Sequence, residues 1–431
     1  MKNKIIFNAL AGLILIILMT NIASATWWDA GWTNKKQINI SGGNSELINF
    51  TIYFNVSYDN NMQVDFKDLR FINSAEDEEL PYEFDNVINS NSAGVWITFP
   101  TLNAGTNNNT IYMYYGNASA TDGQNKIQTW RQYKRVFHLN ADTSTLAYES
   151  SSGKNGTIYS GNSTQTFEGK IGNALHFNKT RAVNLSQSGV IFGTTQMTVS
   201  GWFKSDISDT NQRYGWDYQW IGDAWGRCDW NNGAASKIQA QAYNGTVYSL
   251  TNNTNNVTTW IYVTQTMKAA GQHTLYINGV KSGTFYMKTL TQVAGRTGGM
   301  IGANYGYNLI ADPYPFWGLI DEFRMMNVQM TDDWVFRDYQ NANMSYFTFG
   351  DEEAFPTGNT CTPPTTGNWA ITCSDNCSWF VGKSIPGNVT ITGAGTLNLN
   401  SIWHFTTAKS RVTIAPTCRF NINRGGGFNN G

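Results

Sequence analysis

The chain has 431 residues, with 29 Lys and Arg against 30 Asp and Glu and a formal net charge of −1. That balance excludes a counterion-driven nucleic-acid or anionic-membrane binder as a reading of the whole chain. Only 14% of residues are charged and another 14% are aromatic, against roughly 25% charged in an average soluble protein, so the chain can bury large cores, and its Thr, Asn, Gly, Tyr and Trp content points to an all-β fold.

Residues 1–25 read as a signal peptide: Lys2 and Lys4, an apolar stretch over residues 5–19, then Ala23-Ser24-Ala25 before Thr26. The apolar stretch is shorter than the about 20 residues that span a bilayer, and no second one follows. The expectation is cleavage after Ala25 and a secreted or cell-surface protein whose mature chain has no transmembrane segment. Fifteen Asn-x-Ser/Thr sequons, among them Asn39, Asn155 and Asn388, are then potential glycan sites. Of the five cysteines, Cys361, Cys373, Cys377 and Cys418 fall near the C-terminus. An oxidising compartment favours two disulfides among them in any of three connectivities. A zinc site is the rival, but one x3 spacing and two distant cysteines fit paired-knuckle spacing poorly. Cys228 is left over.

Residues 26–125 show short alternating blocks such as Gln37-Ile38-Asn39-Ile40 and Leu69-Arg70-Phe71-Ile72, separated by turn clusters such as Ser41-Gly42-Gly43-Asn44. That spacing predicts an antiparallel β-sandwich. The run Glu76-Asp77-Glu78-Glu79 reads as a solvated hairpin, because adjacent carboxylates repel and face water. Trp27, Trp28 and Trp32 either close the end of the sandwich or stack on a sugar. Trp27-Trp28-Asp29-Ala30-Gly31-Trp32, Asp68-Leu69-Arg70-Phe71, Leu80-Pro81-Tyr82-Glu83, Val95-Trp96-Ile97 and Ile111-Tyr112-Met113-Tyr114-Tyr115-Gly116-Asn117 together resemble domain-of-unknown-function family 2341. The resemblance implies a β-sandwich module of archaeal and bacterial surface proteins, with no established chemistry.

Strand signals continue through residues 126–353, and Asn278-Gly279 after Leu275-Tyr276-Ile277 is the dipeptide that a two-residue type I′ hairpin needs. Five ordered blocks resemble the laminin-G-like, concanavalin A-like jelly roll: Glu149-Ser150-Ser151-Ser152-Gly153-Lys154-Asn155-Gly156-Thr157, Gly169-Lys170-Ile171-Gly172-Asn173-Ala174-Leu175-His176-Phe177, Met197-Thr198-Val199-Ser200-Gly201-Trp202-Phe203, Leu275-Tyr276-Ile277-Asn278-Gly279 and Gly318-Leu319-Ile320-Asp321-Glu322-Phe323-Arg324. The resemblance implies a lectin-type or scaffold module, in some members holding a calcium ion. By that resemblance the calcium candidates are Glu149, Asn155 and Asp321, with Glu149 standing where the family has Asp. The competing reading has Asp321 and Glu322 orient a strand end and pair with Arg324 or backbone amides.

Residues 214–232 concentrate Trp216, Tyr218, Trp220, Trp225 and Trp230 among Asp217, Asp223 and Asp229. Aromatic faces stack on sugars and carboxylates bind hydroxyls, so Trp216, Tyr218, Trp220, Trp225, Trp230, Asp217 and Asp223 are the carbohydrate-binding candidates. The period-two spacing of Trp216, Tyr218 and Trp220 equally fits one core-facing side of a strand. The Glu-x-Asp-x-Glu or Glu-x-Asp-x-x-Glu pattern of concanavalin-type glycosidases is absent, the four histidines His138, His176, His273 and His404 are isolated, and no His-Glu-x-x-His, Gly-x-Ser-x-Gly or phosphate loop occurs. His138 and His176 read as structural, hydrogen-bonded imidazoles.

Residues 354–366 read as a Pro- and Thr-containing linker. In residues 367–431, Val389-Thr390-Ile391 and Val412-Thr413-Ile414 lie 23 residues apart, as do Leu397-Asn398-Leu399-Asn400 and Phe420-Asn421-Ile422-Asn423. That period suits two rungs of a parallel β-helix with stacked Asn, or a chance echo in a Thr- and Asn-rich chain. The fold expected is two tandem antiparallel β-sandwiches, the second a jelly roll, and a short C-terminal β segment. The function expected is a non-catalytic protein that binds glycans or cell-envelope polymers and no nucleic acid. Its alternatives are an accessory region of a larger polysaccharide-degrading β-helix enzyme and a structural envelope subunit.

Overall fold

The computed structural model describes residues 27–430, except 106–108, 141–142, 144, 160–165, 179, 186–195, 220–224, 244, 254–255, 269–270, 288–297, 305–313, 345, 356–359 and 376. It divides into two compact units. One is made of Lys36–Ser74 and Glu79–Asp351, the other of the segment ending at Lys35, Ala75–Glu78 and Glu352–Gly431.

The first unit holds both sandwiches. In the first, Leu47–Ser57, Ser92–Leu102 and Tyr82–Ile88 form a three-stranded sheet in that order, and the facing sheet runs Phe347–Ala354, Asn34–Ile40, Asn109–Tyr115, Arg70–Asn73. Leu47 to Ser57 pairs antiparallel with Leu102 to Ser92 along its length, so alternate residues Phe50, Ile52, Phe54 and Val56 share one core face. The strand Phe347–Ala354 joins this sandwich, although the sequence placed residues up to 353 in the second. A terminal strand that returns to an earlier sheet leaves no local signal, because pairing partners are set by tertiary contact.

The second sandwich packs two eight-stranded sheets. In one, Gln196–Ser205 lies between Trp317–Met326 and Ile261–Lys268. The hairpin from Gln272–Ile277 to Val280–Tyr286 turns at Asn278 and Gly279 with φ of 51° and 76°, the left-handed pair expected of a type I′ turn. In the other sheet, Arg213–Gln219, Trp225–Trp230, Lys237–Tyr243 and Val247–Asn253 are consecutive neighbours. Between the sheets, Phe137, Phe177, Phe203, Trp216, Trp230, Phe316 and Phe323 form the core. The first core continues into Trp202, Tyr262, Met326 and Trp334 of the second sandwich, and helix Asp332–Gln340, capped by Thr331, carries Trp334 into it.

In the second unit the C-terminal segment is a three-rung parallel β-helix. Trp369–Thr372, Val389–Thr392 and Val412–Ile414 stack in register as one three-stranded sheet, and two further three-stranded sheets complete the coil. The 23-residue repeat marks the second and third rungs. The first rung, with Trp369 opposite Val389, escaped the sequence reading because its offset is three residues shorter and its residues differ. Asn421 Nδ2 donates to Asn398 Oδ1 at 3.0 Å and Asn423 Nδ2 to Asn400 Oδ1 at 2.8 Å, which are the stacked amides expected between rungs. The cysteines pair as Cys361–Cys377 and Cys373–Cys418, one of the three open connectivities. Also in this unit, Glu76 departs from the solvated hairpin expected of it. Its carboxylate is buried and accepts from Lys35 Nζ at 2.9 and 3.0 Å, while Asp77 and Glu78 stay exposed. Trp27 is buried edge-on to Phe355 at 5.2 Å between centroids, with Lys35 Nζ 5.1 Å from its ring. Its ring closes a core and does not offer a sugar platform.

Candidate functional site

The aromatic cluster divides by strand alternation. In Arg213–Gln219, Trp216 and Tyr218 point inward, as Cys228 and Trp230 do in the neighbouring strand; Trp216, Tyr218 and Trp230 are 1%, 1% and 0% exposed. Trp230 packs so closely on Gly215 that a Cβ there would come within 1.9 Å of the ring, and the strand bulges at this glycine, between Tyr214 and Trp216. This corrects the sequence reading: three of the candidate sugar platforms are core. Trp220 and Asp223 lie outside the described residues, and Trp225 is placed only as the first residue of its strand.

The opposite face of the same sheet is polar. Residues directly paired across antiparallel strands project to the same side, so the register aligns Asn184, Met300, Asp217, Arg227, Gln241 and Ser249 in one row over six strands. A second row aligns Tyr214, Asp229, Gln239 and Thr251. Arg227 Nε donates to Gln241 Oε1 at 2.8 Å and lies 3.4 Å from Asp229 Oδ1, with the guanidinium carbon 5.1 Å from the Tyr214 ring centroid. Gln241 Nε2 donates to Gln239 Oε1 at 2.7 Å, and Gln239 Nε2 to Thr251 Oγ1 at 3.1 Å. The face grades from buried at Asp229 and Gln241 to exposed at Ser249 and Thr251. A row of guanidinium, carboxylate, amide and hydroxyl groups with a ring beneath the cation is what hydrogen-bonding a polyhydroxylated ligand requires. Of the predicted residues, Asp217 alone is placed here. Arg227, Gln239 and Gln241 were missed, although assigning the opposite parity to these strands would have found them.

Burial holds Asp229 at about 6, outweighing the opposing charge of Arg227. A carboxyl raised on folding gives full stability below its unfolded value and loses it as pH rises through the folded one. Between roughly pH 4 and pH 7 the parent should therefore lose about 3 kcal/mol that Asp229→Asn does not, at about 1.4 kcal/mol per pH unit. Urea unfolding of both proteins at the two pH values checks this, and equal slopes would clear Asp229 of the effect.

The three calcium candidates each accept hydrogen bonds from the protein. Glu149 accepts from the backbone of Val136, Ser151, Ser152 and Lys154 and from two serine hydroxyls, at distances from 2.5 to 3.3 Å. Asn155 Oδ1 accepts from Glu149 N at 3.0 Å. Asp321 Oδ2 is turned elsewhere, to the amides of Lys170 and Ile171 at 2.7 and 2.9 Å. Glu149 thus anchors its own turn and Asp321 the segment at Lys170 and Ile171, each through protein hydrogen bonds.

A second concentration of charge lies where the sandwiches meet. His138 is buried with Nδ1 2.7 Å from Glu322 Oε1 and 3.8 Å from Asp85 Oδ2, and Nε2 3.3 Å from Glu83 Oε2. Glu322 occupies a bulge with φ of 52°, and Arg324 Nη2 donates to its other oxygen at 2.6 Å. Burial pushes Asp85 up to about 7. It pushes Glu83 up too, but His138 and Lys126 prevail and hold that carboxyl at about 2. Glu83, Asn140 and His138 form part of the lining of a cavity of about 420 Å³, with Asp65, Lys67, Asp122, Lys126 and the exposed ring of Tyr148 also on its walls. Sequence reasoning gave His138 a structural role and paired Glu322 with Arg324, but nothing local brought Glu83 and Asp85 to them.

Residues 65–168 match the profile of a domain of unknown function, DUF2341, and residues 177–336 that of the concanavalin A-like lectin/glucanases superfamily. The chain joins a DUF2341 module to a concanavalin A-like domain. The DUF2341 match extends past the first sandwich and contains Glu83, Asp85, His138 and Glu149, whereas both polar rows fall in the concanavalin A-like match. No curated protein matches the sequence. Among solved structures, domain 4 of AbnA, a GH43 extracellular arabinanase from Geobacillus stearothermophilus in complex with arabinotriose, is similar at 18% identity over 48% of this chain and 97% of that one, with a TM-score of 0.38. The botulinum neurotoxin serotype D binding domain is similar at 16% identity over 48% of this chain and 50% of that one, with a TM-score of 0.37. The serotype D ligand binding domain in complex with N-acetylneuraminic acid gives 16%, 48%, 50% and 0.36. The chain thus spans about half the length of the toxin chains, and at these TM-scores the likeness carries no argument about ligands.

Proposed function

We propose that this DUF2341 and concanavalin A-like chain is a non-catalytic, extracellular carbohydrate-binding protein whose ligand lies along the polar face of the Arg213–Gln219 sheet. The reading is carried by the row Asp217, Arg227, Gln241 and Ser249, in which charged and amide side chains are preset by hydrogen bonds to one another and open to solvent at one edge. The superfamily of the matched domain supports a binding role, and the two disulfides suit an oxidising compartment. Among the described residues no helix is long and apolar enough to cross a membrane. Cell-envelope polysaccharide is the ligand class that fits a surface module with this face.

The test is a glycan array probed with the purified chain, with calcium and again with chelator, followed by titration of the best ligand. Arg227→Ala and Gln241→Ala should each weaken binding about tenfold or more, since each loses roughly one charge-assisted or paired hydrogen bond. Folded variants that bind as tightly as the parent would place the ligand elsewhere, and absence of binding to any glycan would overturn the reading.

A further inference from the structure

Around His138 the side chains are arranged as ligand and support. One donor atom each from Asp85, His138 and Glu322 lies within 4.8 Å of the other two, and all three residues are buried. The far ring nitrogen, Nε2, faces Glu83 Oε2 at 3.3 Å, the contact that fixes the tautomer of a metal-bound imidazole and leaves Nδ1 free to ligate. Asp85 is held in turn by the Asn140 amide and by Trp96 Nε1 at 3.3 Å, and Glu322 by Arg324. Each donor is thus oriented by a neighbour from its own or the facing sandwich.

The charges around this point do not balance. Glu83, Asp85 and Glu322 surround His138, and the cations beside them are Lys126, 3.1 Å from Glu83, and Arg324, which is shared with Asp338 2.7 Å away. Asp321 Oδ1 is wholly buried and has no hydrogen-bond donor among the described residues, and its carboxyl feels the charges of Glu322 and Asp85. A buried carboxyl oxygen without a donor, next to a cluster with more carboxyl groups than fixed cations, is where an added cation is accommodated. The cavity provides an entry path, since His138 and Glu83 are on its wall together with Asp65 and Asp122.

We propose that the junction of the two sandwiches is a divalent-metal site in which His138, Asp85 and Glu322 are the ligands, Glu83 positions the imidazole, and water completes the coordination. One imidazole with two carboxylates suits Zn²⁺ or Mn²⁺ better than an all-oxygen calcium cage. Because Asp85 belongs to the first sandwich and Glu322 to the second, the ion ties the two modules together.

The experiment uses the full chain stripped with chelator, dialysed, and titrated separately with Zn²⁺, Mn²⁺ and Ca²⁺, with bound metal counted by mass spectrometry. One Zn²⁺ or Mn²⁺ per chain is expected, together with a rise in the thermal midpoint on loading. His138→Gln should weaken that binding at least tenfold, whereas His176→Gln, whose half-buried ring pairs with Asp206 instead, should bind as the parent does. If His138→Gln fails to fold, the visible spectrum of the Co²⁺-loaded parent decides, because a nitrogen-and-oxygen ligand field is expected. No bound ion at millimolar metal, or equal binding by parent and folded His138→Gln, overturns the site. Glycan titration of the same samples separates this outcome from that of the binding face.

Discussion

Trp216→Ala should destabilise the larger unit by about 3–5 kcal/mol, the range for removing a fully buried aromatic side chain, and should leave the carbohydrate affinity of the folded fraction unchanged. The ring lies 5.5 Å from that of Phe203 and 6.1 Å from those of Trp230 and Phe323, so truncation opens a void between the two eight-stranded sheets. Trp216 Nε1 is buried without an acceptor among the described residues, which makes Trp216→Phe informative. It keeps most of the packing and removes an unsatisfied donor, so it should cost well under half as much. Urea unfolding followed by tryptophan fluorescence measures both. A Trp216→Ala protein as stable as the parent but deficient in glycan binding would return the aromatic cluster to the surface and reverse the assignment of faces.

That assignment shows where the sequence stopped being informative. The period-two spacing of Trp216 and Tyr218 establishes a strand with two unlike sides, but both sides of this strand are buried: Asp217 is 5% exposed and Trp216 1%. Hydrophobicity alone favours rings inward, whereas the density of Trp beside Asp also resembles a sugar platform. Only the register against Trp225–Trp230 and Lys237–Tyr243 shows Asp217, Arg227 and Gln241 to be one row. Signals confined to a few consecutive residues were legible. Asn278-Gly279 gave its hairpin, and the echo between Val389 and Val412 gave true neighbours in a parallel sheet.

The junction was illegible for the complementary reason. His138 and Glu322 are 184 residues apart and His138 and Glu83 are 55 apart, with no fixed spacing that a motif could register. Glu149 shows a subtler limit. Its place at the start of a turn was read correctly, but that its oxygens would meet six protein donors depended on the backbone path of Ser151 to Lys154.

The same junction yields the other large effect, at Arg324. Its guanidinium is 2% exposed along the side chain, donates to Glu322 Oε2 at 2.6 Å and to Asp338 Oδ1 at 2.7 Å, and sits 4.3 Å and 5.2 Å from the Trp96 and Trp130 ring centroids. Asp338 also accepts from Tyr262 and from Asn341, and Asn341 Nδ2 reaches Thr51 O in the first sandwich at 3.2 Å. Arg324→Met preserves much of the volume but strips two buried carboxylates of their shared cation, a loss of about 3–5 kcal/mol when one partner of a buried pair is removed. Arg324→Lys should recover only part, because a point charge cannot bridge two acceptors and stack on two indoles at once. Combining Arg324→Met with Glu322→Gln and Asp338→Asn should regain stability relative to Arg324→Met alone, since the cost resides in the stranded charges and not in the missing side chain. Unfolding free energies of the four proteins close the comparison. If Arg324→Met costs no more than a surface substitution, or if neutralising its partners deepens the loss, the charges are solvated in solution and the buried network is not what holds the two sandwiches together.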